Sequence, residues 1–255
     1  MKIVIIGSGN LATQLSLALK EAGKDIIQVY SRTEEHARTL AEKIGCGFTT
    51  SIDDVNRKAD LYIVSIKDDA IRAMAAKLGG VGMIIHTAGS IPMNVFHGHA
   101  DHYGVLYPMQ TFSKNRKVDF REIPCFIEAS DAETLAVIRQ LAECISDHVV
   151  DCDSERRKKM HLAAVLACNL TNHCYRLAER VVEAEQIDFH LFQPLIMETA
   201  RKVALMSPRD AQTGPMVRND KSVMEMQLQM LPDRRTRDLY RLMAESIYED
   251  ALNSK

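Results

Sequence analysis

Apolar residues in the first part of the chain gather in short continuous runs, whereas those in the last hundred residues recur at three- and four-residue spacing. Ile3, Val4, Ile5 and Ile6 stand together ahead of Gly7, a β-branched block of the kind that forms a parallel strand covered on both faces. Similar runs predict strands at 25–30, 60–66, 81–85, 104–107, 124–129 and 148–151, with a short one at 45–50. Helical patterns separate them: Leu11, Leu15, Ala18 and Leu19 with Gly23 as a stop, then 34–44, a stretch through Leu78, and 131–145. A capping box at Ser51 predicts a brief helix through Val55. Alternating strands and helices predict an α/β fold with a doubly wound, mostly parallel sheet of Rossmann type.

From Ser154 the strand-like runs cease. One long helix is expected at 155–184, another at 189–206 ended by Ser207 and Pro208, and two more at 221–231 and 234–252 divided by Pro232. The expected organisation is a sheet domain over 1–152 followed by an all-α domain over 153–255.

Composition narrows the class. With 255 residues, 46% hydrophobic and 26% charged, the chain reads as an ordinary globular protein of one or two domains. A formal net charge of −2 provides no basic footprint for nucleic acid. No apolar run reaches membrane-spanning length, and the four strongly apolar residues between Lys2 and Gly7 are too few for a signal peptide, so a cytoplasmic protein without a membrane partner is expected. Cys46, Cys125, Cys144, Cys152, Cys168 and Cys174 form no C-x-x-C pair and read as reduced thiols.

The candidate chemistry begins at the first strand end. Gly7, Gly9 and Ala12 match G-x-G-x-x-A, and Gly7, Ser8, Gly9, Asn10 and Leu11 form a turn whose helix N-terminus suits a pyrophosphate. An NAD site places an acid at the tip of the second strand; here stand Ser31, Arg32 and Thr33, which favour the 2′-phosphate of NADP(H). The alternative is a solvated turn arginine paired with Glu34 or Glu35. Ser65, Ile66 and Lys67 at the fourth strand end are cofactor-wall candidates, and Thr87 follows the fifth strand toward the nicotinamide ribose. His86 fits either a proton donor or a hydrogen-bonded structural histidine. His97, His99 and His102 match no zinc spacing and read as a surface turn, so no metal is expected.

Five motifs carry a resemblance: 7–12 (Gly-Ser-Gly-Asn-Leu-Ala), 86–90 (His-Thr-Ala-Gly-Ser), 107–112 (Tyr-Pro-Met-Gln-Thr-Phe), 163–169 (Ala-Ala-Val-Leu-Ala-Cys-Asn) and 213–220 (Thr-Gly-Pro-Met-Val-Arg-Asn-Asp). Over its whole length the chain resembles Rossmann-like proteins with a DUF2520-type helical C-terminal domain, described as NADP oxidoreductases. More distantly it is similar to pyrroline-5-carboxylate reductase, prephenate dehydrogenase and F420-dependent NADP reductase. The resemblance implies hydride transfer between NADP(H) and a small carbonyl or imine substrate, and a helical domain that covers the nicotinamide and joins a homodimer. It departs in two places. Hydroxyacid-type relatives carry a lysine where this chain has Val165, and other relatives carry His-Pro where it has Tyr107 and Pro108.

Asn169, His161 and His86 are the catalytic candidates, and Gln110, Thr111, Thr213, Arg218 and Asp220 the substrate candidates. With four-residue helical spacing, His161 and Asn169 share one face of the first long helix. A non-catalytic NADP(H)-binding sensor or scaffold is the competing reading, supported by the absent lysine.

Overall fold

A computed structural model describes residues 1–253. β1 (Lys2–Ile6) is the hub of the sheet, paired in parallel with β2 (Asp25–Tyr30) on one side and β4 (Leu61–Val64) on the other. Successive strand side chains point to opposite faces. Ile3 and Ile5 accordingly enter one apolar core, with Leu15, Leu19 and Leu40, while Val4 and Ile6 enter the other, with Ile71 and Phe96. Burial on both faces is why the run is continuous rather than alternating.

Eight strands lie in the order β3-β2-β1-β4-β5-β6-β7-β8, where β3 is Gly47–Thr49, β5 Met83–His86, β6 His102–Pro108, β7 Cys125–Ala129 and β8 Val149–Asp151. All neighbours are parallel except β6 and β7. A parallel return needs a long crossover, usually a helix. Between Pro108 and Cys125 the chain forms no α-helix, but a bridged turn over Ser113–Arg116 and a short 3₁₀ turn, Phe120–Glu122, and β7 comes back antiparallel. Helices α1 (Asn10–Glu21), α2 (Glu34–Ile44), α3 (Asp68–Lys77) and α4 (Ala132–Glu143) follow β1, β2, β4 and β7, while turns join β3 to β4 and a 3₁₀ segment, Met93–Phe96, lies between β5 and β6.

Two local expectations are corrected. Residues 51–55 form turns, not a helix: Ser51 N–H donates to Thr49 Oγ1 at 3.1 Å, and Thr49 Oγ1 donates to the Ser51 carbonyl at 3.2 Å. This short side-chain turn takes the groups that a capping box would use, in a segment too brief to nucleate a helix. The expected single helix over 155–184 runs without a break from Ser154 to Glu183 but changes hydrogen-bond pattern within it, from α5 (Ser154–Ala164) through a π-helical stretch Val165–Leu170 to α6 (Thr171–Glu183).

Packing divides the chain into two units, Met1–Cys168 and the residues from Asn169 onward. The first holds the sheet and α1 to α5. The second holds α6, α7 (Gln193–Leu205), the one-turn α8 (Pro208–Ala211), α9 (Lys221–Met230) and α10 (Arg234–Leu252). Among its described residues only Leu228, Thr236 and Ala244 are buried. No helix is long and apolar enough to cross a membrane among the described residues.

Candidate functional site

The carboxyl ends of β1, β2, β4 and β5 open into a cleft of about 1060 Å³ within the first unit. Its floor is the glycine turn. Gly7 has φ +125°, and a Cβ there would lie 2.1 Å from the Ser65 carbonyl oxygen, so only glycine lets β1 turn beside β4. At Gly9, the N-cap of α1, a Cβ would meet nothing within 4 Å. The backbone is therefore bare toward open space, as a phosphate's close approach requires. α2 and α3 begin with acidic residues, Glu34 and Glu35 in one and Asp68 and Asp69 in the other, but α1 has none in its first turn. Its free N–H groups and positive dipole end have no carboxylate of their own and suit an outside anion.

Ser31, Arg32 and Thr33 line the cleft at the tip of β2, and Ser8 Oγ donates to Ser31 Oγ at 2.7 Å. Glu34 pairs with Arg38 one helical turn away, and Arg32 has no carboxylate partner among the described residues. The guanidinium at the strand tip is exposed and available. His36, on the first turn of α2, faces the same space. Ser65, Ile66 and Lys67 form another wall with Thr87, whose Oγ1 donates to Ser65 Oγ at 3.0 Å.

At the other end of the cleft, Tyr107 from β6 and His161 from α5 come together. The Tyr107 hydroxyl and His161 Nδ1 are 3.0 Å apart, with the rings edge-to-face at 5.8 Å between centroids. Gly89 makes this possible: a Cβ there would lie 2.6 Å from the His161 ring. Burial, with the Asp68 carboxylate adding to it, raises the Tyr107 pKa above its usual value of 10, so the phenol keeps its proton at neutral pH. Behind the pair, fully buried Arg157 holds α5 against the sheet. It pairs with Glu128 of β7 and donates to the Ile91 carbonyl at 2.6 Å and to Ser154 Oγ at 3.2 Å.

The cleft thus brings together Gly7, Ser8, Gly9, Asn10, Leu11, Ser31, Arg32, Thr33, Ser65, Ile66, Lys67 and Thr87, with His161 at one end. It does not bring in His86. That ring is fully buried beside Phe96 at 5.5 Å, its Nδ1 accepts from Ala88 N–H at 3.1 Å, and burial together with the Arg157 charge lowers its pKa to about 3. The imidazole is neutral and enclosed, away from the cleft lining, as a structural histidine would be.

Gln110 and Thr111 are exposed and outside the cleft lining, because the chain turns after Pro108 and the Gln110 side chain folds back to accept from Thr111 N–H at 2.8 Å. In the second unit, Asn169 is exposed on the π stretch, Thr213 is exposed, and Arg218 donates twice to Asp220 Oδ2, at 3.1 and 2.8 Å. Arg218 already has a carboxylate. His102 is hydrogen-bonded to Asp131 and Thr134. Among the described residues no group of three or more His, Cys, Asp or Glu is placed to hold a metal.

Sequence reasoning missed Tyr107, His36 and Lys114 as lining residues. The substitution of tyrosine for histidine ahead of Pro108 was the available signal for Tyr107.

Residues 2–84 match the family model described as NADP oxidoreductase coenzyme F420-dependent, and residues 123–247 match the domain of unknown function DUF2520. A candidate NADP oxidoreductase from Bacteroides fragilis is 51% identical, with a TM-score of 0.94 over 97% of this chain and 98% of that one. A reductive aminase from Aspergillus terreus in complex with NADPH and ethyl levulinate has the same fold at 17% identity, with a TM-score of 0.69 over 97% of this chain and 94% of the other. A pyrroline-5-carboxylate reductase from Streptococcus pyogenes, also 17% identical, aligns over 98% of both chains with a TM-score of 0.62. Among curated proteins, the glucose-fructose oxidoreductase domain-containing protein 2 of Xenopus laevis is 36% identical over 83 residues, 31% of this chain; the match spans 22% of that protein's length.

Proposed function

The chain belongs to the family of Rossmann-type NADP oxidoreductases that carry a DUF2520 domain, and from that premise we propose that it binds NADP(H) in the cleft and reduces a small carbonyl or imine carbon beside Tyr107 and His161. The observation that carries the reading is one continuous cleft with a bare glycine turn at its floor, an unpaired arginine at the tip of β2 and a tyrosine–histidine pair at its other end. Bound NADPH supplies the hydride. The protein supplies the proton and the positions.

Ser31, Arg32 and Thr33 select the 2′-phosphate, and the first turn of α1 takes the pyrophosphate. Substrate oxygen or nitrogen accepts a proton at the end of the cleft where Tyr107 and His161 meet. When His161 is protonated, its Nδ1–H donates to the Tyr107 oxygen and leaves the phenolic O–H to donate outward. Once that proton has gone to substrate, the His161 proton passes to the phenolate, and the half-exposed imidazole is recharged from water. His161 is thus the source of the proton, and Val165 in place of a lysine leaves this pair as the acid.

The experiment follows NADPH oxidation across ketoacids, aldehydes and cyclic imines. Turnover with any of them, lowered about a hundredfold or more in His161→Ala with NADPH affinity unchanged, is expected. Tight NADPH binding without turnover across the panel would favour a cofactor sensor instead.

A further inference from the structure

We propose that Lys114 is a ligand of the cofactor's pyrophosphate, delivered to the glycine turn by the loop that follows β6. The proposal rests on the reading of the cleft as an NADP(H) site and adds a residue from outside the nucleotide-binding motif.

The loop from 109 to 119 leaves the sheet without a helix, yet it is fastened at defined points. Asn10 Nδ2 donates to the Phe112 carbonyl at 2.8 Å, and Gln14 Nε2 donates to the carbonyls of Ser113 at 2.8 Å and Lys114 at 3.3 Å. Asn10 and Gln14 stand four residues apart at the start of α1, hence on one face of that helix. Gln14 is buried, which makes its amide an internal tie rather than a solvated side chain. A backbone bridge between Ser113 and Arg116 and stacking of Phe112 on Phe120 hold the loop from within.

The same helix turn that presents bare N–H groups to an anion thus carries the lysine backbone on its side. Lys114 lines the cleft together with Gly7, Ser8, Gly9 and Asn10. Its charge is uncommitted. Lys117, three residues further on, pairs with Glu21 at 2.7 Å, whereas Lys114 has no carboxylate partner among the described residues. α1 has no acidic residue in its first turn, so a lysine ammonium in this cleft adds to the positive charge of that helix end, and a dianion between them interacts favourably with both. A pyrophosphate satisfies both. The 2′-phosphate does not fit as well, because its groups are at the tip of β2 and the tie to Lys114 runs through α1.

Calorimetric titration of NADPH and NADH into the purified full-length protein and its variants tests this directly. NADPH and NADH share the pyrophosphate and differ in the 2′-phosphate, so Lys114→Ala should weaken both by the same factor, about tenfold, while Arg32→Ala weakens NADPH alone. Lys114→Arg should retain most of the affinity, and Lys117→Ala all of it. Unchanged NADPH affinity in Lys114→Ala, or a loss confined to NADPH, would overturn the assignment and leave the cofactor reading intact. Failure of the unmodified protein to bind either cofactor would overturn both.

Discussion

Gly7 and Gly9 belong to one turn and are glycine for different reasons. Any side chain at Gly7 meets the Ser65 carbonyl, and φ +125° is strained for an L-residue, so Gly7→Ala is expected to destabilise the fold by about 3 kcal/mol or more. Gly9 has ordinary dihedrals and open space around it. Gly9→Ala should melt within a few degrees of the unmodified protein and lose about tenfold or more in NADPH affinity. Thermal melts and cofactor titration on the pair separate a folding glycine from a binding one. His86 gives a pH signature. Its folded pKa of about 3 lies below the ordinary 6.5, so the unfolded chain takes up a proton that the folded chain refuses. The stability is complete above pH 6.5 and falls toward pH 3 by at most about 1.4 kcal/mol per pH unit. Urea denaturation at pH 7 and pH 5 should show the unmodified protein losing roughly 2 kcal/mol more than His86→Gln; equal losses would contradict the burial argument. Asp131, also depressed, contributes in the same direction in both proteins and cancels.

Helix α5 is placed by one buried charge. Asp153 caps its first turn by accepting from Arg156 N–H at 2.8 Å, and Arg157 then fixes it to β7 and to the Ile91 carbonyl, one helical turn before His161. Arg157→Leu would leave Glu128, only 16% exposed, without its counter-charge though still accepting from Ser154, and should cost about 3 kcal/mol, while Arg157→Leu combined with Glu128→Leu should cost less than the sum. A double-mutant cycle by urea denaturation measures it. This tie was invisible in the sequence, since Glu128 and Arg157 are 29 residues apart and neither stands in a recognisable motif. The strands were legible because burial on both faces writes itself as continuous apolar runs, and the glycine turn because its geometry demands particular residues. The π stretch Val165–Leu170 was not, since a hydrogen-bond slip within a helix leaves the residue pattern unchanged. The turns at 51–55 were misread because Thr49, outside the supposed capping box, takes its hydrogen bonds. The pairing of Tyr107 with His161 joins residues 54 apart and emerges only when β6 and α5 are folded.

For the molecule as a whole, the second unit raises the question of assembly. Its α6 and α7 bury no residue, and Leu191, Leu195 and Leu205 are 72%, 63% and 84% exposed. So much apolar surface on a thin helical unit favours a second copy of this chain as its cover. Sedimentation equilibrium at micromolar concentration should give twice 28.6 kDa, with Leu195→Glu and Leu205→Glu together lowering it to the monomer; a monomer in the unmodified protein would reject the dimer. The first unit carries the central claim, that the cleft is an NADP(H) site chosen by Arg32 where an NAD site would hold an acid. The most direct test is calorimetric titration of the unmodified protein and Arg32→Asp with NADPH and NADH. The account predicts NADPH binding tighter than NADH by about 1.5 to 3 kcal/mol, and loss of that preference in Arg32→Asp. Equal affinities in the unmodified protein, or no binding of NADPH, would contradict it.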